Sequence, residues 1–265
     1  MDDVIFCKSI LISPAEAGTI DIEYTVGFRK SPLLAGISEA GSRCVPARGR
    51  GKMTDSSSYE HFMQEAQLRD EVIREAERLG FRQTIDALHF AERCHTGQLR
   101  KGPARLPYII HPLTMACHAL SLRLYEDDLL SVILLHDTCE DCSIQPEELP
   151  VNPQVQEAVR ILTFSRLPGE TRRQAKDRYF SHIPGNRLAS ITKLLDRCNN
   201  LSYMVYGFSR KKLLDYICET HRCVIPILEY AKEHYRDCSS ALFLLNYQIF
   251  SVMNSIQVLL ERKLP

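Results

Sequence analysis

Seven residues in a row, Leu129 to Leu135 (LLSVILL), carry no charge and only one hydroxyl. Read as part of a helix over about 127–140, this stretch is apolar almost all round. A helix of that kind must be buried on every side, so other elements have to surround it. The rest of the chain supplies them as helices. HFMQEAQLRDEVIREAERLG is amphipathic, with Gly80 placed to end it. TIDALHFAERCHTG follows, with Thr84 as its expected N-cap and Ala87, Leu88, Ala91 and Cys94 at helical spacing. A loop with three prolines, QLRKGPARLPYIIHP, leads to a helix over about 112–124 and then to the central one. Ser143 and Pro146 begin a short turn, PQVQEAVRILTF is the next helix, and ETRRQAKDRYF is polar and basic. NRLASITKLLDRCNNLSYMVYG is long and amphipathic, and SRKKLLDYICETHRCVIPILEYAKEHY is expected to bend at Pro226. SSALFLLNYQIFSVMNSIQVLLERK is a strongly apolar final helix. No convincing run of strands appears after residue 57, so the class is all-α, a helical bundle.

Residues 1–55 read differently. They hold six of the twelve glycines and end in GSRCVPARGRGKMTDSSS, the composition of a flexible extension. TIDIEYTV alternates like a short strand without an obvious partner, and Met53 is an alternative start. The expected organisation is an extension over 1–55, a helical domain over 56–208, and C-terminal helices over 209–265 packing on that domain.

Lysine plus arginine and aspartate plus glutamate both number 33, so nothing global points to nucleic acid or an acidic membrane as partner. No apolar run approaches the ~20 residues of a membrane span, and MDDVIFCKSILIS is a poor signal peptide. The ten cysteines then read as reduced thiols of a cytoplasmic protein. Cys139 and Cys142 form one CxxC, without a second to complete a zinc cage.

The central helix ends in HDTCED, one imidazole and three carboxylates in six residues. Acids crowded at the end of a buried helix are costly unless a cation pairs them. On a continuous helix His136 stands over Glu140 and Asp137 over Asp141. An isolated HD pair is commonplace, but His111 lies 25 residues upstream and Asp196 lies 60 downstream on an otherwise apolar helix face. Together they offer two imidazoles and two carboxylates from three helices, a donor set for Mn, Fe, Zn or Mg. Asn200 shares the face of Asp196. Arg100, Lys101 and Arg105, with Arg172, Arg173, Lys176 and Arg178 on the basic helix, are candidates to meet substrate charge.

HTGQLRKG, PYIIHP, LLHDTCED and KLLDRCNNL, taken in order and at their spacing, resemble the hydrolase domain of the RelA/SpoT homologues. These are HD-superfamily enzymes that degrade the alarmone (p)ppGpp. The resemblance covers about residues 84 to 203. It implies an HD-domain helical bundle with one Mn²⁺, held by His111, His136, Asp137 and Asp196. It implies that Glu140 and Asp141 handle the water and its proton, that Arg100 and Lys101 lie near the guanine and the phosphates, and that Asn200 lines the nucleotide site. The implied reaction removes the 3′-diphosphate of ppGpp or pppGpp, giving pyrophosphate and GDP or GTP. Three departures stand out. The loop RKGPARLPYIIHP is two residues longer than the family pattern, with Gly102 or Pro103 where a base-contacting serine is expected. Asn199 replaces a histidine. No synthetase-like region follows, as in a stand-alone small alarmone hydrolase. The rival readings are an HD phosphohydrolase for another nucleotide and a non-catalytic alarmone-binding protein.

Overall fold

Leu129 through Leu135 are buried in full, and the run's one hydroxyl, Ser131 Oγ, donates back to the Asp127 carbonyl at 2.7 Å. The helix they form, α4 (Asp127–Leu135), is packed on four sides: by α2 (Arg82–Cys94), α3 (Ile110–Ser121), α6 (Pro153–Leu162) and α8 (Arg187–Met204). The computed structural model describes residues 64–101, 105–205 and 207–261, which lie within one compact unit, Met53–Pro265. The extension, TIDIEYTV and positions 102 and 103 fall outside those residues. The other helices are α1 (Glu65–Leu79), α5 (Thr138–Cys142), α7 (Arg172–His182), α9 (Arg210–Glu219), α10 (Ile225–His234) and α11 (Ser239–Glu261). Among the described residues there is no strand, only an isolated antiparallel bridge between Leu99 and Pro107.

Several helix ends follow local chemistry. Gly80 adopts φ 74°, and the Phe81 amide then reaches the Ala76 carbonyl at 2.8 Å, closing α1. Asn152, Thr171, Asn186 and Ser209 each cap the helix that follows them. Thr84 does not: it lies inside α2, whose first turn is capped from another element. Asp127 accepts from the Thr84 amide and hydroxyl, both at 2.7 Å, so tertiary packing supplies the acceptor that the local sequence lacks. Where a bend is expected at Pro226, the helix is instead interrupted just before it by a π turn over Thr220–Val224. Proline has no amide and crowds the carbonyl four residues back, which such a turn accommodates.

Two expectations are corrected. The central helix does not run on to residue 140. It ends at Leu135, and α5 starts after a two-residue break at His136 and Asp137. His136 Nδ1 takes the Ile133 carbonyl at 2.8 Å, the acceptor that the Asp137 amide uses in an uninterrupted helix. Nor is the chain without a stretch of membrane-span length. Arg236–Glu261 qualifies by length and composition, with mean hydropathy 1.3. Its interruptions are Ser, Asn and Gln, which break an apolar run without adding charge. Its inner stripe, including Leu242, Leu245, Ile249, Met253 and Ile256, is buried in the core shared with α8 and α10.

Candidate active site

The break between α4 and α5 brings the HD pair against α3 and α8. His111, in the first turn of α3, and His136 are buried, with their rings edge to face and centroids 5.1 Å apart. One nitrogen or oxygen from each of His111, His136 and Asp137 falls within 4.8 Å of the others. His136 Nε2 is 3.0 Å from Asp137 Oδ2, and His111 Nε2 is 3.8 Å from that same oxygen and 3.3 Å from Asp196 Oδ1. Asp196 stands beside this trio, its other oxygen paired with Lys193 Nζ at 2.9 Å.

The outer nitrogens decide what the inner ones can do. His136 Nδ1 is engaged by the Ile133 carbonyl, and His111 Nδ1 by Asn199 Oδ1 at 2.8 Å. A carbonyl oxygen only accepts, so each Nδ1 carries a proton and in the neutral ring each Nε2 turns a lone pair inward. His136 Nε2 is buried without a hydrogen-bond partner. Two imidazole lone pairs and two carboxylates thus face one another, an arrangement that a divalent cation fits. Without an ion the cluster meets the same demand with a proton: burial works against a charged His136, yet Asp137 and Asp196 overcome it and raise its pKa to about 9, so the proton on Nε2 is the one a bound cation would displace. Burial resists ionisation of Asp196 as well, but Lys193 holds it well below the usual carboxylate range. His111, where burial dominates, is pushed down and stays neutral.

Beside this cluster opens a cleft of about 600 Å³, a volume that suits a nucleotide. Its walls include Lys101, Tyr108, His111, Asp141, Asn200 and Lys212. The loop that carries Arg100 and Lys101 is pinched shut by hydrogen bonds from the Arg100 amide to the Leu106 carbonyl (2.8 Å) and from the Tyr108 amide to the Gln98 carbonyl (2.9 Å). Lys101 is exposed. Arg100 is buried: it donates to Asn199 Oδ1 at 2.9 Å and Asn200 Oδ1 at 3.0 Å and lies over the Tyr203 ring. Asn200 also donates to Asp196 Oδ1.

The two members of the ED pair diverge. Asp141 keeps the helical bond of its amide to the Asp137 carbonyl at 2.9 Å and stands in the cleft wall, whereas Glu140 accepts from the Phe164 amide at 3.1 Å, and both residues are exposed. Burial, and then the neighbouring carboxylates, raise both pKa values. Of the basic helix, Arg178 is committed to Glu170 and Lys176 to Glu219, while Arg172 and Lys176 line a second cleft of about 680 Å³ that shares Lys212 and Tyr216 with the first. Sequence reasoning passed over Tyr108, whose hydroxyl donates to Asp137, and the contacts of Asn199. Asn199 gave no local signal of them, since its partners are 88 and 99 residues away.

A helical bundle that sets a His-Asp pair at a break in its central helix, facing a histidine and an aspartate from two other helices, defines an HD-type hydrolase. A solved structure described as a metazoan ortholog of SpoT that hydrolyses ppGpp and plays a role in starvation responses shares this fold. It matches with TM-score 0.52 and 20% identity, covering 66% of this chain and 95% of that one. The guanosine-3′,5′-bis(diphosphate) 3′-pyrophosphohydrolase MESH1 of Xenopus tropicalis is 30% identical over 141 residues, which are 50% of this chain and 77% of that protein. Human and mouse MESH1 are each 35% identical over 126 residues, 45% of this chain and 68% of theirs. No protein-family model matches the chain. The chain belongs to the MESH1 family of guanosine-3′,5′-bis(diphosphate) 3′-pyrophosphohydrolases.

Proposed function

We propose that this chain hydrolyses the 3′-diphosphate of ppGpp or pppGpp, releasing pyrophosphate and GDP or GTP, with Mn²⁺ held by His111, His136, Asp137 and Asp196. The observation that carries the reading is the inward convergence of two Nε2 lone pairs and two carboxylates at the edge of a nucleotide-sized cleft. A bound divalent ion supplies Lewis acidity at a phosphoryl oxygen and lowers the pKa of water.

The chain's own residues do the rest. Tyr108 holds the Asp137 carboxylate by a hydrogen bond, and Lys193 and Asn200 hold Asp196. In the reaction water attacks phosphorus, and the bond from phosphorus to the ribose 3′ oxygen breaks. Asp141 or Glu140 takes the proton of the water and returns it to that leaving oxygen. Their raised pKa values suit groups that must both accept and give a proton. Lys101, Lys212 and Arg100 are the cations of the cleft wall, the first two open to the substrate's phosphates. Arg100 is held in that wall by Asn199, Asn200 and the Tyr203 ring.

The test is incubation of the purified protein with ppGpp and Mn²⁺, read as pyrophosphate released, beside a panel of other nucleotides. Release from ppGpp is the expected result. Turnover of a different nucleotide alone transfers the substrate assignment to that compound, in keeping with the lengthened loop. Binding of ppGpp without turnover supports a non-catalytic alarmone-binding protein instead.

A further inference from the structure

Asn199 Oδ1 is a junction. It lies 2.8 Å from His111 Nδ1 and 2.9 Å from Arg100 Nη1. A guanidinium has no acceptor, so the amide atom facing Arg100 must be the oxygen. That orientation leaves His111 Nδ1 only one role, as a donor. The tautomer of His111, and with it the inward lone pair on Nε2, is therefore dictated by a residue of α8 whose own orientation is dictated by Arg100. Both partners are buried, so water is a poor substitute for the lost acceptor.

We propose that Asn199 is the positioning residue of the metal centre, orienting His111 and tying the loop that carries Arg100 and Lys101 to it through one oxygen. The proposal rests on the metal-dependent reading above and adds a residue to it. A single imidazole at position 199 presents one acceptor lone pair and cannot serve both donors. The coupling of loop to metal ligand thus depends on the amide that this chain carries.

The decisive comparison is Asn199→Ala against Asn199→Asp, read first as Mn²⁺ affinity without substrate, by electron paramagnetic resonance titration. Loss of an outer partner of a metal-bound histidine costs about 10–100-fold in affinity. N199A is expected to fall within that range, whereas N199D, whose carboxylate accepts from both donors, is expected to stay within a few-fold of wild type. Arg100→Met frees the amide to turn, and it is expected to weaken Mn²⁺ binding although Arg100 does not face the ion. Nitrogen-15 spectra of the metal-free wild-type protein, which need no variant to fold, are expected to show His111 protonated at Nδ1. Finding the proton on Nε2, or equal affinities for N199A and wild type, overturns the role of Asn199 and leaves the hydrolase reading standing. A wild-type chain that takes up no divalent ion, and releases no pyrophosphate, overturns both.

Discussion

Two buried polar nodes meet on adjacent residues of α8, and they are built on opposite principles. Asp196 faces the cluster of His111, His136 and Asp137. Arg197, its neighbour, faces the other way: it pairs with Glu219 at 3.0 Å, donates to Thr220 Oγ1 at 3.2 Å and lies over the Tyr216 ring at 4.0 Å. Glu219 is also paired with Lys176. In that second node every charge has an opposite partner within the protein. In the first, imidazole lone pairs and carboxylates face one another, and Lys193 alone among the described residues pairs a cation with them. Burial raises the cost of charge in both. A node whose every charge has an opposite partner needs no added cation and holds helices together. A node with surplus acceptors calls for a cation, and holding one is the role proposed for it.

The comparison is broken most severely by removing an acceptor from the surplus node. Asp196→Ala or His111→Ala should strip most divalent metal from the purified protein and abolish turnover, because one of four ligands is lost. Metal analysis alongside pyrophosphate release checks this. Full metal content and activity in D196A would show that the surplus is not a metal site.

A smaller effect separates the rim of the node from its centre. Glu140→Gln and Asp141→Asn leave the four inner residues untouched, so both variants should keep their metal. The residue that handles the proton should lose roughly 10²–10⁴ in kcat, the usual cost of removing a general acid–base group. Steady-state kinetics on the pair assigns the role: Asp141, if only D141N collapses, or Glu140 in its clamp on the Phe164 amide, if only E140Q does. Wild-type rates in both exclude water activation by this pair.

The balanced node should answer in stability and not in metal. Arg197→Met keeps the packing volume and leaves Glu219 with Lys176 alone. It should cost about 3 kcal/mol, the low end for breaking a buried pair, with metal content unchanged. Urea unfolding measures the loss. The smallest effect is in pH. Burial lifts the Glu219 carboxyl, but Lys176 and Arg197 overcome it and hold the pKa below its ordinary value. Lowered in the folded state, it adds stability above the unfolded carboxylate value of about 4.3 and loses it as pH falls through the folded value. The stability gap between wild type and Glu219→Gln should therefore narrow on going from pH 5 to pH 3. A gap that stays constant means that Glu219 is not ionised in the pair.

Much of this was legible in the amino-acid order, and for local reasons. An all-apolar run must be central, amphipathic periods place helices, Gly80 and Asn186 mark an end and a start, and the HD, ED and D–N residues announce an unusual density of acceptors. These follow from the 3.6-residue period and from caps whose partners lie within one turn. Tertiary structure decided whatever depends on a partner far along the chain. Asp127 caps α2 in place of Thr84, because the acceptor comes from 43 residues away. Arg100 becomes a buried strut because Asn199 and Asn200 meet it across about a hundred residues of chain. The central helix breaks at His136, and tertiary packing then gives Asp141 the cleft wall and Glu140 the Phe164 amide. Asp196 and Arg197, adjacent in sequence, were separated into a site and a brace by nothing local at all. A helix turns successive side chains about 100° apart, and only the packing of α3, α4, α9 and the π turn around α8 determines which of those directions meets surplus acceptors and which meets an answering charge.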